Sequence, residues 1–288
     1  MENMDHPDGE TSYAYNGIPS THIIAESKTV VDGLQSFLHE INNPDFKDEW
    51  QKRNQESVNP VEAVIEFVSR FTDDQEWIDD QQTNADYMKM LLKQEEHNMR
   101  SMLDHSTVTV LFNNISMLLV TRLMELRLNV ATVNSKTAPI MKMGFWMPPG
   151  IENNPQLHTA YSQIFANIND IKNQWFKHFD ISNLSSDEIE QVVNDVSRIY
   201  PWGSQVIACL TCGMSSWRQL FKLCTRYQED PEIRFILLHL SYKFKKRYPS
   251  CFQDMIVTDA SGKTFGIDSV VSSADIWKDL KIEFKELT

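Results

Sequence analysis

A chain of 288 residues with 41% hydrophobic side chains has ample material for a core, and its net charge of −13 argues against sequence-independent nucleic-acid binding, which needs a dense basic surface to release counterions. A local basic pocket for one nucleotide is compatible with that balance. No apolar run approaches the ~20 residues of a membrane span, and no apolar signal core follows the acidic start MENMDHPDGE, so the expected setting is cytoplasmic, with no membrane partner.

Residues 1–20 are rich in Gly, Pro, Ser and Asp without periodicity and are expected to form a flexible arm, leaving 21–288 as one domain. A short strand is expected over His22–Ala25. Val30, Val31, Leu34, Phe37, Leu38 and Ile41 then fall at helical spacing, and Asn42-Asn43-Pro44 stops that helix. Pro60 opens a second helix with Val61, Val64, Ile65 and Val68 on its buried face. The acidic stretch 72–84 reads as a solvated connection anchored by Trp77, since its spacing matches no calcium loop. A helical pattern resumes from Asp86 to Met99.

The central stretch has a strand-like run, Thr107–Phe112, a helical pattern from Ile115 to Arg127, and a polar segment from Asn129 to Thr137. After Pro148-Pro149, a long helix is expected over 155–178, with Leu157, Tyr161, Ile164, Ile168, Ile171 and Trp175 on one face. Ser185-Ser-Asp-Glu188 fits a capping box ahead of the next helix. Gln205–Thr211 reads as a buried strand, Gly213 as a turn, Ser215–Cys224 as a helix, and Pro231 as the first position of a helix running to Pro249. Its basic end, Lys243, Lys245, Lys246 and Arg247, suits either the helix dipole or a phosphate, and the dipole is the better reading. The tail, Met255–Ile267, is expected to form a hairpin around Asp259-Ala-Ser-Gly262.

Four cysteines, at 209, 212, 224 and 251, are too few for a disulfide framework. Cys209 and Cys212 have CxxC spacing, but no second ligand pair accompanies them and their surroundings, VIACLTCG, are apolar, so a buried strand is the better reading and no metal site is expected. There is no P-loop, dinucleotide fingerprint, HExxH or nucleophile elbow.

Taken in order, the central elements resemble the flavin-dependent thymidylate synthase (ThyX) family. His97, Ser101, Asp104 and His105 stand where that family has a His-rich turn. The family then carries Arg-His-Arg, seven residues, Ser, one residue and Arg. Here Glu125-Leu126-Arg127 is followed after seven residues by Ser135, with Thr137 at the last position. Phe145-Trp-Met-Pro-Pro149 resembles its apolar strand, Ile199-Tyr-Pro-Trp202 its Leu-Pro turn, and Glu232-Ile-Arg234 the start of its last large helix. The resemblance is strongest over 95–250. It implies an α+β single domain, an antiparallel sheet flanked by long helices, assembled as a homotetramer.

It also implies a flavoprotein methyltransferase of nucleotide biosynthesis, thymidylate synthase-like. FAD and NADPH (the NADP couple) would support transfer of a folate-borne one-carbon unit from methylenetetrahydrofolate to C5 of a pyrimidine deoxynucleotide. The default substrate is dUMP, with dCMP or a hydroxymethylated product open. Carried over residue by residue, Arg127 and Arg226 are the catalytic candidates. His97, Ser101, His105, Arg127 and Gln219 would bind cofactor, and Arg122, Glu125, Asn134, Ser135 and Lys136 substrate. The family's strand arginine falls on Ile207 and its pyrimidine-polarising arginine on Cys224, with Arg226 two residues on; the expected asparagines appear as Gly213 and Gln219. These departures motivate the alternative of an inactive ThyX-fold protein with a binding or structural role.

Overall fold

A computed structural model describes residues 19–28, 31–40, 59–72, 83–94, 100–125, 130–131, 144–179, 183–224, 230–258 and 281–285. The strands are β1 (Ser20–Glu26), β2 (Thr107–Ser116), β3 (Val130–Ala131), β4 (Gln205–Gly213), β5 (Met255–Thr258) and β6 (Lys281–Phe284). The helices are α1 (Val31–Glu40), α2 (Pro60–Thr72), α3 (Asn84–Gln94), α4 (Arg100–Leu103), α5 (Met117–Glu125), α6 (Pro149–Glu152), α7 (Pro155–His178), α8 (Ser186–Ser197), α9 (Met214–Cys224) and α10 (Pro231–Arg247). Among the described residues, no helix is long and apolar enough to cross a membrane.

The chain forms two compact units. One comprises 1–19, 113–121 and 133–207, the other 20–112, 122–132 and 208–288. A four-stranded sheet has the order β1-β2-β4-β3, with β3 antiparallel to β4 in the register Val130 to Leu210 and Ala131 to Cys209. This is the mixed helix-and-sheet class that the sequence resemblance implies.

Local chemistry explains the helix starts. Asn59 accepts the Val61 N–H at 2.9 Å ahead of Pro60. Asn154 accepts those of Gln156 and Leu157 ahead of Pro155. Asp230 accepts those of Glu232 and Ile233 ahead of Pro231. In each, proline takes a first-turn position whose N–H has no intrahelical partner. The capping box expected at Ser185 is present, with Glu188 returning to the Ser185 N–H at 2.8 Å.

The structure changes three expectations. The tail strand has a different partner: β5 pairs antiparallel with β6, Met255 opposite Phe284, while the expected turn at 259–262 lies outside the described residues. The apolar run before Pro148-Pro149 makes a single bridge, Phe145 to Ser204, and gives way to the short helix α6, because proline cannot donate to a ladder. The strand from Thr107 continues to Ser116, and the helix expected from Ile115 begins at Met117. The N-terminal arm and the acidic stretch around Trp77 lie outside the described residues, save their last or first few positions.

In the larger unit, α9 and α10 build the core. Trp217, Phe221, Phe244, Tyr248 and Phe252 form one aromatic cluster, with Trp217 and Phe244 centroids 4.9 Å apart. Within it lies a charge the sequence reading does not anticipate. The Arg218 side chain is 1% exposed and grips Asp254 through two bonds of 2.9 and 2.7 Å, while also donating to the Cys251 carbonyl. The same turn is held from α2, where buried Glu62 accepts the Cys251 N–H at 2.9 Å; desolvation raises its carboxyl above the ordinary range.

The basic end of α10 is used structurally. Lys243 donates to the Thr21 carbonyl and Lys245 to that of Met255. Arg247 forks onto Glu26 at 2.8 and 2.6 Å, and the Tyr248 hydroxyl donates to the same carboxylate at 2.7 Å. These contacts tie β1 and β5 to α10 and favour the structural reading of the cluster over the phosphate one.

Removing one partner of a buried, bidentate ion pair leaves the other charge uncompensated, at a cost of about 3–5 kcal/mol. Asp254→Leu is expected to lose stability on that scale in urea unfolding, and the double substitution Arg218→Met, Asp254→Leu to lose clearly less than the two single losses added. Glu26 carries a different signature. The Arg247 hydrogen bonds hold its carboxyl below the usual glutamate range, against the opposing effect of burial. Its contribution is therefore present above the unfolded-state value of about 4.3 and lost as pH falls through the lowered folded-state value. Glu26→Gln should reduce stability at pH 7, and the gap to wild type should close as pH falls below the unfolded-state value and through the lowered folded-state one; a gap independent of pH would contradict that assignment.

Candidate active site

Two of the elements that carry family-like positions, the turn after α4 and the start of α9, meet in the larger unit. Helix α4 ends at a turn, Asp104-His105-Ser106, that feeds β2, and β4 feeds α9 directly beside it. The Ser106 hydroxyl donates to the Val61 carbonyl at 3.0 Å, and the Met214 N–H to the Ser106 carbonyl at 3.2 Å. Between the two strands the Thr109 and Thr211 hydroxyls are 3.0 Å apart.

Asp104 closes the start of α9. One carboxylate oxygen accepts the Ser215 N–H at 3.2 Å and the other its hydroxyl at 2.6 Å. The carboxylate thus caps from a distant part of the chain a helix end whose N–H groups lack intrahelical partners. The approach requires glycine at 213, where an added Cβ would sit 2.1 Å from an Asp104 oxygen. Burial and the Asp104 charge push the neighbouring Cys212 thiol up to about 12, so it is no thiolate nucleophile at neutral pH. Cys209 and Cys212 both lie within β4, Cys212 buried and Cys209 partly so, as the strand reading of the CxxC pair expects.

On α5, Arg122 donates to Glu125 at 3.0 Å, and both side chains are about half exposed. His105 and Gln219 are exposed in the same unit, and Ser101 lies in α4. Six other predicted residues, His97, Arg127, Asn134, Ser135, Lys136 and Arg226, lie outside the described residues.

The smaller unit contains the turn matched to the family's Leu-Pro turn. Its Trp202 and Ser204 carbonyls accept the Leu118 and Met117 N–H groups at the start of α5, both at 2.9 Å, and the Gly203 carbonyl accepts that of Trp146 at 2.8 Å. Tyr161 and Phe165 pack so closely that a Cβ at Gly203 would meet the Tyr161 hydroxyl at 2.6 Å. Trp202 is left exposed. Ile207, at the family's strand-arginine position, presents an apolar surface, 42% exposed, where that resemblance implies a cation.

The donor chemistry can be compared with a flavin dinucleotide. His105 and Gln219 are exposed polar side chains able to donate hydrogen bonds. The N–H groups opening α9 are less available to a pyrophosphate, because Asp104 already satisfies Ser215. Sequence reasoning placed Asp104 in the right turn but gave it no role, because nothing local shows that its partner lies 111 residues away. It also missed Arg218, whose signal, a charge amid Trp217, Leu220 and Phe221, is legible only once Asp254 is brought beside it.

Comparison with known proteins gives three results. The family described as thymidylate synthase complementing protein matches residues 54–250, more than half of the chain. No curated protein matches. Among solved structures, a UMP/dUMP methylase, PolB from Streptomyces cacaoi, bound with 5-Br UMP, superposes with a TM-score of 0.50. The alignment covers 83% of this chain and 93% of that one at 10% identity, which speaks to the fold. With more than half its length matched and its mixed fold shared with that structure, the chain belongs to the thymidylate synthase complementing protein (ThyX) family.

Proposed function

We propose that this chain is a divergent nucleotide methyltransferase of the ThyX type, acting at C5 of a pyrimidine deoxynucleotide with FAD, NADPH and methylenetetrahydrofolate. The observation that carries the reading is the family match across residues 54–250. The structural neighbour, a UMP/dUMP methylase bound with 5-Br UMP, supports the nucleotide class. The default substrate is dUMP, and a homotetramer in the cytoplasm is the working form.

When bound, reduced flavin supplies the electrons that complete transfer of the one-carbon unit. The protein's part is to hold and polarise. Arg127, with Ser135 and Lys136, would neutralise and orient phosphate groups, Asn134 would read a base edge with its amide, and Arg226 would stand in for the arginine lost at Cys224. His97, Ser101, His105 and Gln219 would position the flavin. Such fixed donors contribute through orientation and electrostatic stabilisation of developing charge.

Glu125 distinguishes the chain from the family pattern. A carboxylate can accept a hydrogen bond from the exocyclic amine of cytosine, a donor that uracil lacks. In the structure it already accepts one from Arg122, which leaves its second oxygen to serve that role. The rival reading, an inactive binding protein, is favoured by Ile207 at a cationic position and by the pairing of Arg122 with an acid.

Purified protein should show visible flavin absorption on addition of FAD; its absence even with excess FAD and nucleotide would leave the inactive reading. Arg127→Ala should weaken phosphate-bearing ligands about 10- to 100-fold, the equivalent of one charge-assisted hydrogen bond. In a thermal-shift panel of dUMP, dCMP, UMP and CMP, unequal shifts that become equal in Glu125→Gln are expected. Four equal shifts in the wild type would rule out base reading by Glu125.

A further inference from the structure

Five helices take a side-chain acceptor for their first N–H groups from the residue just before them: Asn59, Ser116, Asn154, Ser185 and Asp230 serve α2, α5, α7, α8 and α10. Helix α9 does not. Its acceptor, Asp104, lies 111 residues earlier, in the turn after α4. A local cap would satisfy the same N–H groups equally well. What the remote one adds is a fixed separation between two distant segments.

Each of those segments carries an exposed polar side chain. His105 follows Asp104 directly, and Gln219 lies four residues beyond Ser215, one turn along α9 and near the same side of the helix. The backbone is anchored on both sides of His105, by Asp104 to α9 and by buried Ser106 to α2, through the Val61 carbonyl at 3.0 Å. The Met214 N–H adds a bond to the Ser106 carbonyl at 3.2 Å. Further along, the buried face of α9 sets the helix rotation, with the Trp217 indole N–H on the Val108 carbonyl at 3.1 Å and Arg218 on Asp254. That leaves the first turn of α9, where intrahelical partners are lacking. There Asp104 takes up both polar groups of Ser215, the N–H at 3.2 Å and the hydroxyl at 2.6 Å.

We propose that Asp104 is a positioning residue, which through Ser215 holds His105 and Gln219 in one fixed mutual placement, so that both meet the same cofactor. The proposal rests on the reading of those two side chains as flavin contacts. Asp104 acts through the protein alone, since both its oxygens are engaged by Ser215. Donors fixed in advance lose less freedom when a ligand binds.

The test compares Asp104→Ala, which removes both bonds, with Asp104→Asn, which keeps an oxygen for the Ser215 N–H. In FAD titrations Asp104→Ala should weaken binding about 10-fold through loss of placement, and Asp104→Asn should restore most of that loss. In a His105→Ala, Gln219→Ala background, Asp104→Ala should cost FAD binding nothing further, while its lowering of the unfolding midpoint persists. Losses of FAD affinity that add across these backgrounds would overturn the proposal, because Asp104 would then not act through the two side chains. Amide exchange of the protein without flavin gives a second readout: Asp104→Ala should speed exchange over both 104–106 and 214–219, and Asp104→Asn over neither. Faster exchange over 214–219 alone would reduce Asp104 to an ordinary helix cap and equally overturn the proposal. Should Asp104→Ala fail to fold, Ser215→Ala, which removes only the hydroxyl bond, carries the same expectations at smaller size. A wild type that takes up no flavin would sink the catalytic reading, and exchange would still decide whether Asp104 couples the two segments.

Discussion

The larger unit depends on a charge placed in its core. Arg218 belongs to α9, while Asp254 and Cys251 belong to the turn between α10 and β5. A guanidinium taken out of water must recover its solvation from acceptors in fixed positions. Here the acceptors also decide where the turn can lie, with Phe252 and Phe284 flanking the guanidinium plane. Glu62 holds the same turn from α2, so two buried charged side chains from distant segments determine one loop. The aromatic cluster supplies the bulk of the apolar burial, and the polar contacts select one arrangement of it.

This division explains what could be read from the chain. Helix starts were legible because their causes are local: Asn or Asp ahead of proline, or Ser with Glu three residues on, settles a terminus within one turn. The long periodic segments α7 and α10 were legible for a related reason, since a repeat spanning many turns is visible without knowing what it packs against. The β5 partner was not, because a Gly-bearing tetrapeptide looks like a turn whether or not it joins neighbouring strands. Arg218 was not either, since a charged residue on an apolar face is interpretable only beside its acceptor.

The candidate site divides along the same line. Order and spacing were enough to indicate the family. Pairings were beyond the reach of spacing. Arg122 with Glu125 is a three-residue neighbour relation on one helix that turns two candidate ligand groups into partners of each other. Asp104 with Ser215 crosses 111 residues. In the first a charged pair is satisfied within one helix, and in the second a carboxylate is satisfied by a serine far along the chain.

The Asp104 cap bears on how such a site changes over time. Glycine at 213 and aspartate at 104 occupy one volume between them, since a side chain at 213 would overlap the carboxylate. An asparagine at 213 would clash unless position 104 shrank in the same step, and shrinking 104 alone would strip α9 of its cap. Each single substitution passes through a less stable intermediate, so the two positions are coupled. The consequence is that two positions remote in the chain can change only as a pair, since neither can vary alone without loosening the start of α9.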